Sequence, residues 1–424
     1  MKEQIQSINK KQEQRHKSDF GHLASQLAAR GHAVEKTVAA LASFQVAIPS
    51  WALGAGGTRF GRFGYGGEPS NLEEKIEDVG TVHALTGSAG AISLHIPWDI
   101  PGDAQEVKEL AASKNIVFDA VNSNTFQDQP GQPVSYKFGS LCNESKAVRE
   151  LAIEHNKEVV RIGEALGSKS ITVWLADGSS FPGQASFRRS LAHTSASLKE
   201  IYADMPGDWS MFIEYKPYEP NFYHMVVQDW GTSFLLANEC GERAYTLVDL
   251  GHHLPNTNIE NIVATLMYKG KLGGFHFNDS KFGDDDLTVG CIKPYQLFLI
   301  FNELVFGMQN NTADNPPLAW MIDASHNLKD PMEDLMQSLD AILVAYAQAL
   351  LIDQNELKAA QMEHDVTRCQ EILQAAFRTD VRPLVREARR RSGAAISPIS
   401  AYRQMGIREK LIAKRGENVQ ATGL

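Results

Sequence analysis

Eight short runs rich in β-branched and aromatic residues, most of them separated by stretches of helical pattern, constrain this chain more than any other feature. They fall at residues 44–51, 91–96, 116–121, 170–175, 209–214, 245–249, 272–277 and 319–323. Each is nearly continuous in apolar residues, the pattern of parallel strands buried on both faces. The spacing predicts helices between them, for example over 145–166 and 258–268. Eight strand–helix units over roughly 280 residues fit a (β/α)8 TIM barrel, an α/β fold of about 250 residues before insertions. A doubly wound open sheet is the structural alternative.

The flanks read differently. Residues 1–43 are charged and Gln-rich, then amphipathic, which predicts two leading helices. The barrel domain is expected over 44–352. Its last helix would carry Leu335, Leu339, Ile342, Leu343, Tyr346 and Leu350 on one face. Residues 353–424 stay helical and charged, with a basic cluster at Arg386, Arg389, Arg390 and Arg391. That cluster reads as a solvated helix face or one side of a subunit contact. The extension is expected to wrap a neighbouring subunit.

Composition excludes several classes. Lys+Arg 41 against Asp+Glu 51 gives a net charge of −10, unsuited to general binding of nucleic acid or anionic membrane. No apolar run nears the ~20 residues of a membrane helix. The first twenty residues have no apolar core, so no signal peptide is expected. Cys142, Cys240, Cys291 and Cys369 form no CxxC, which indicates neither a thiolate zinc site nor a disulfide framework. A cytoplasmic enzyme is the expectation.

In such a barrel, chemistry sits at the carboxyl ends of the strands. The second run ends at His95 and Trp98, the third at Asn122 and Asn124, the fourth at Trp174 and Asp177. The fifth ends at Glu214 and Lys216, the sixth at Asp249 and His252, the seventh at His276 and Asp279, the eighth at Asp323. Carboxylates and imidazoles at four consecutive strand ends converge on one point. One lysine cannot balance Glu214, Asp249 and Asp323, and buried charges need a partner or a metal. Three carboxylates with an imidazole suit a hard or borderline divalent ion. In the acidic run Asp284-Asp285-Asp286, the alternating pair Asp284 and Asp286 can point one way, with Asp285 turned to solvent. Joined by His252, they would form a second site beside the first, a known catalytic arrangement. Gly251 lets the chain turn between Asp249 and His252. Asn278 and Asp279 are expected behind these ligands, Asp279 orienting Lys216 or a ligand. His253 and His326 read as structural or supporting residues. Each element is weak singly: a strand-end histidine is more often structural, and an acidic run is more often solvated loop.

The residues Glu214-Tyr215-Lys216, Val248-Asp-Leu-Gly-His252, Phe275-His-Phe-Asn-Asp-Ser-Lys281, Gly283-Asp-Asp-Asp286 and Met321-Ile-Asp323 carry a family likeness. So do Pro49-Ser-Trp51, Ser93-Leu-His-Ile-Pro-Trp98, Asn122-Ser-Asn-Thr-Phe126 and Gln228-Asp-Trp-Gly231. Over about residues 20–405 the chain resembles the broad-specificity bacterial L-rhamnose isomerases, among the xylose isomerase-like barrels. The resemblance implies a tetrameric ketol isomerase using two divalent ions, manganese or cobalt favoured. It implies a structural ion on Glu214, Asp249, His276 and Asp323. It implies a catalytic ion on His252, Asp284 and Asp286, with Asp249 shared. Tyr215 departs from close relatives and is expected to alter the pocket floor.

The chemistry expected of such a site is an aldose–ketose conversion by hydride shift from C2 to C1, with no organic cofactor. Lys216 would stabilise charge at O1. His95 is a candidate for ring opening and proton movement, and Asp286 and Asp323 are placed among the catalytic groups. Trp51, Trp98, Phe126 and Trp174 would form an apolar wall against the monosaccharide. The glycine-rich stretch 54–67 matches no phosphate-binding motif and reads as an active-site loop. By resemblance, its Phe60 would reach a neighbouring subunit's site. Mn²⁺ is the expected ion, with Co²⁺, Mg²⁺ or Zn²⁺ as alternatives, and L-rhamnose, L-mannose, L-lyxose, D-allose and D-ribose stay open as substrates. An inosose dehydratase, a hydroxypyruvate isomerase or a metal-dependent phosphoesterase would use a comparable scaffold. The phosphoesterase should carry a basic groove, which the acidic balance disfavours.

Overall fold

A computed structural model describes residues 1–54, 63–218, 224–310, 319–324 and 328–417. Eight parallel strands close into a barrel in chain order. They are β1 (Ala47–Pro49), β2 (Ala91–Ile96), β3 (Val117–Ser123), β4 (Ser170–Val173), β5 (Ser210–Glu214), β6 (Ala244–Asp249), β7 (Leu272–Phe277) and β8 (Ala319–Ile322). All eight predicted runs overlap a strand, and the closed order rules out the open sheet. Burial explains the near-continuous apolar pattern: every residue of β7 is buried, its inward side chains by the barrel interior and its outward ones by helices. At the β7–β8 seam a Cβ on Gly274 would lie 2.1 Å from the Ala319 carbonyl oxygen, so only glycine allows that approach.

The intervening helices follow local signals. α1 (Lys2–Ala29) and α2 (Val34–Ser43) are the two leading helices. α3 (Leu72–Thr86) starts at Asn71, whose side chain accepts from Glu74 N. α4 (Ala104–Ser113), α5 (Lys146–Leu166), α6 (Phe187–Asp204), α7 (Trp230–Cys240), α8 (Ile259–Tyr268) and α9 (Pro294–Asn310) follow in turn. α10 (Pro331–Ala349) carries Pro331 in its first turn and is capped by Asp330. It is buried beyond the predicted face: Met336, Ser338 and Ala345 are covered as well. The reason lies in the extension α11 (Gln354–Met362), α12 (Val366–Phe377), α13 (Arg382–Arg391), α14 (Pro398–Gln404) and α15 (Ile407–Arg415), of which α12, α13 and α14 pack on α10.

Arg389, Arg390 and Arg391 of the basic cluster on α13 are paired within their own chain. Glu387 accepts from Arg390, Arg391 and His16, Arg391 also pairs with Glu35, and Arg389 pairs with Asp340. α15 clasps α3: Arg415 grips Asp78 with Nη1 at 2.8 Å and Nη2 at 2.9 Å. Arg408 grips Asp330 and donates to the Gly66 carbonyl at 3.0 Å. Much of the extension therefore serves its own barrel. Among the described residues, no single helix is long and apolar enough to cross a membrane.

Candidate metal centre

The strand ends deliver acidic and imidazole side chains to one pocket. Glu214 is the last residue of β5, Asp249 the last of β6, His276 the penultimate residue of β7, and Asp323 follows β8. Each of these four offers a ligand atom within 4.8 Å of the others. A second group, Asp249, His252 and Asp284, satisfies the same limit and shares Asp249. Asp286 lies outside that trio but lines the same pocket. Its φ of +48° is a left-handed conformation that aspartate tolerates better than most residues. The loop carrying these aspartates is held by paired main-chain bonds of 2.9 Å between Asp279 and Leu287.

The chain turns at Gly251 as expected, but the need for glycine there does not come from the turn. Its φ is not in the left-handed region. Instead, an added Cβ would lie 2.7 Å from Asp284 Oδ1. Glycine here lets Asp284 close against the end of β6.

The electrostatics are unbalanced without a cation. Glu214, Asp249, Asp284 and Asp323 face two imidazoles and Lys216, whose Nζ is 2.7 Å from Asp284 Oδ2. Burial opposes a charge on His276, yet Glu214 at 3.2 Å, with Asp323 and Asp249, drives its pKa up to about 9. His252 is also buried, and Asp249 and Asp284 raise it well above its ordinary value. Burial pushes Asp249 up to about 7, and Asp284, Asp323 and Glu214 push the same way. Glu214 is held low against its burial by His276 and His252. The surrounding carboxylates thus push both imidazoles toward the charged form. Asp249 Oδ2 is fully buried with no hydrogen-bond partner among the described residues, although burying such an atom unpartnered costs about 1–3 kcal/mol. The donor set and this orphaned oxygen fit a divalent ion.

A layer of hydrogen bonds aims these ligands. Asn278 Nδ2 donates to Asp249 Oδ1 at 2.9 Å and to the Asp323 carbonyl at 3.2 Å. Gly251 N donates to Asp249 Oδ1 at 2.7 Å. Trp51 Nε1 donates to Asp323 Oδ1 at 3.0 Å. The Asp279 carboxylate is taken up by the main-chain amides of Ser280, Ile292 and Lys293, so it anchors the loop bearing Asp284 instead of orienting Lys216. Asp285 closes that loop by accepting from Lys281 N and Phe282 N.

The rest of the pocket is aromatic and polar. Trp51, His95, Phe126 and Trp174 line it with Lys216, around about 650 Å³ of empty space that includes its open mouth. Trp98 is not among the lining residues; it stacks behind His95 with ring centroids 4.2 Å apart. Tyr215 does not form the floor either: it is buried away from the pocket, its hydroxyl 2.6 Å from His253 Nε2. That contact also accounts for His253 as a structural residue. Phe60 and His326 lie outside the described residues. Ser123 and Thr172 line the pocket without having been assigned to it from the sequence, and Asn122, read as a strand-end residue, lines it with them. Thr172 was findable, because alternation along a strand puts it on the same face as Trp174.

A closed parallel barrel with an acid–histidine centre at its strand ends defines a (β/α)8 barrel with a candidate divalent-metal site. The chain matches no protein-family model. A probable sugar isomerase of Rhizobium meliloti is 51% identical over 397 residues, covering 94% of this chain and 92% of that protein. A probable sugar isomerase of Mesorhizobium japonicum is 50% identical with the same coverage. Among solved structures, an L-ribulose 3-epimerase aligns with a TM-score of 0.50 at 12% identity, covering 76% of this chain and 98% of that one, a likeness of fold. The chain belongs to the family of these probable sugar isomerases.

Proposed function

We propose that this protein is a divalent-metal-dependent ketol isomerase that converts an aldose to its 2-ketose. L-rhamnose to L-rhamnulose is the leading reaction, with D-allose/D-psicose, L-mannose and L-lyxose as further substrates. The observation that carries this reading is the pair of ligand groups sharing Asp249 beside Lys216 in one pocket. The names borne by its relatives support the reaction class.

Glu214, Asp249, His276 and Asp323 would hold one ion, and Asp249, His252 and Asp284 a second, with Asp286 beside them. Such ions, Mn²⁺ being the expected one, supply Lewis acidity that polarises neighbouring sugar oxygens and acidifies a hydroxyl. The chain's own groups do the rest. The buried Lys216 ammonium faces the Trp174 ring at 5.5 Å and donates to the sugar's O1, where negative charge develops. Hydrogen passes from C2 to C1 with its electron pair, O2 gives up a proton and O1 gains one, so the isomers balance without an external oxidant. Burial pulls the His95 pKa down to about 3, so the neutral imidazole holds the anomeric hydroxyl during ring opening without adding charge. Trp51, Phe126 and Trp174 cover the sugar's C–H faces and exclude water. The reading includes a cytoplasmic homotetramer in which Phe60 completes a neighbour's pocket.

An aldose panel assayed with added Mn²⁺, with and without a chelator, tests the proposal. Ketose formation abolished by chelation is expected; no turnover of any aldose, or turnover indifferent to the chelator, overturns it. With substrate deuterated at C2, label retained at C1 is expected, whereas extensive loss to water would indicate an enediol route.

A further inference from the structure

The β1–β2 ladder ends at Pro49 paired with Ser93, while β2 continues to pair with β3 through His95 and Ile96. The segments carrying Trp51 and His95 rise beyond that ladder, and a buried carboxylate links them instead. Asp99 Oδ2 accepts from Ser50 Oγ at 2.5 Å and from His95 N at 2.8 Å. Asp99 Oδ1 accepts from Lys75 Nζ of α3 at 2.6 Å. Asp99 is 1% exposed and Lys75 2%. An ion pair this deep is not explained by stability, because desolvation offsets much of its attraction and an apolar pair of similar size often packs as well.

What distinguishes this pair is where its donors lead. Ser50 precedes Trp51, which donates to Asp323 and meets the His95 ring edge-on with centroids 5.5 Å apart. His95 is packed from behind by Trp98. We propose that Asp99, with Lys75 as its counter-ion, is a positioning residue that sets the spacing of Trp51 and His95 and thereby selects which sugar the pocket holds. This deepens the isomerase reading above and rests on it. The wall touches the sugar before and during hydrogen transfer alike, so its displacement weakens binding in both states and appears in KM more than in kcat.

Ser50→Ala, Asp99→Asn and the double variant Lys75→Met/Asp99→Asn test this, each loaded with Mn²⁺ and checked for equal metal content. Asp99→Asn should raise KM for the best aldose by about tenfold with kcat within about threefold, and reorder the aldose panel. Ser50→Ala, which keeps the ion pair, should raise KM less. The double variant should recover part of the loss, because the Asn oxygen can still accept from Ser50 and His95 without an unpaired ammonium beside it. Lower thermal stability with KM and aldose order unchanged in the folded variants would overturn the proposal. If Asp99→Asn does not fold, Ser50→Ala decides it by the same criterion. If the parent protein turns over no aldose, the isomerase reading fails by itself. Positioning is then judged from the His95 ring ¹⁵N resonances, assigned with His95→Gln: a shift in Ser50→Ala is expected, and no shift overturns the role of Asp99.

Discussion

Lys216 Nζ lies 2.7 Å from Asp284 Oδ2, tying the segment after β5 to the loop after β7. Both side chains are nearly inaccessible, at 2% and 4% exposure. The contact places the pocket's lysine against a carboxylate of the second ligand group. Replacing Lys216 with Met should therefore reduce kcat by about a hundredfold or more, in line with the loss of one charge-stabilising donor. The protein should stay folded with its first ion bound. Steady-state kinetics beside metal analysis checks this; a kcat within a few-fold of the parent would remove Lys216 from the chemistry.

The two aspartates of the acidic run should separate in metal analysis. Asp284 belongs to the second ligand group and Asp286 does not. Asp284→Asn should lower bound Mn²⁺ toward one ion per chain and abolish turnover. Asp286→Asn should retain more of both. The reverse order of metal content would reassign the second ion to Asp286.

Metal binding should strengthen with pH. Glu214, Asp323 and Asp249 push the His276 pKa up to about 9, and burial pushes that of Asp249 up to about 7, so an entering ion must displace protons held there. Between pH 6 and 8, Mn²⁺ affinity should rise by up to about tenfold per unit for each proton displaced. The ion-free fold should respond in the opposite direction. The raised His276 pKa contributes stability present below its unfolded value and lost as pH rises through about 9. The raised Asp249 pKa means the folded state holds a proton that the unfolded state has released, so stability falls as pH rises toward about 7. Thermal shifts on adding Mn²⁺ should accordingly grow with pH. A shift independent of pH would argue against these ligands.

The C-terminal clasp should be costly to break. The Arg415 side chain is 2% exposed and Asp78 is 3% exposed. Arg415→Ala would strand a buried carboxylate, a loss of about 3–5 kcal/mol. The double variant Arg415→Met/Asp78→Leu should recover most of it. Denaturant unfolding measures both, and a single variant as stable as the parent would make the clasp incidental.

Strand positions were readable because a doubly buried strand must be apolar along its length, and 91–96 and 272–277 were recovered to the residue. The residues at four strand ends were readable because their chemistry is unusual for a barrel and the fold dictates which end they occupy. The Lys75–Asp99 pair was not readable. A lysine on α3 reveals nothing of its partner, and only the packing of α3 on the β1–β2 mouth turns it inward. Trp98 and Tyr215 were misplaced for a related reason: residue type does not say which way a side chain points once the strand has ended.

Residue order by itself determined the eight-unit barrel and that its strand ends could hold a cation, since both follow from periodicity and from charge that cannot be buried alone. Only the tertiary structure decided that Asp284 comes within reach of Asp249 and His252, that Gly251 is there to admit it, and that the extension braces its own barrel. Those outcomes depend on distances of a few ångströms between segments far apart in the chain, and no local pattern encodes them.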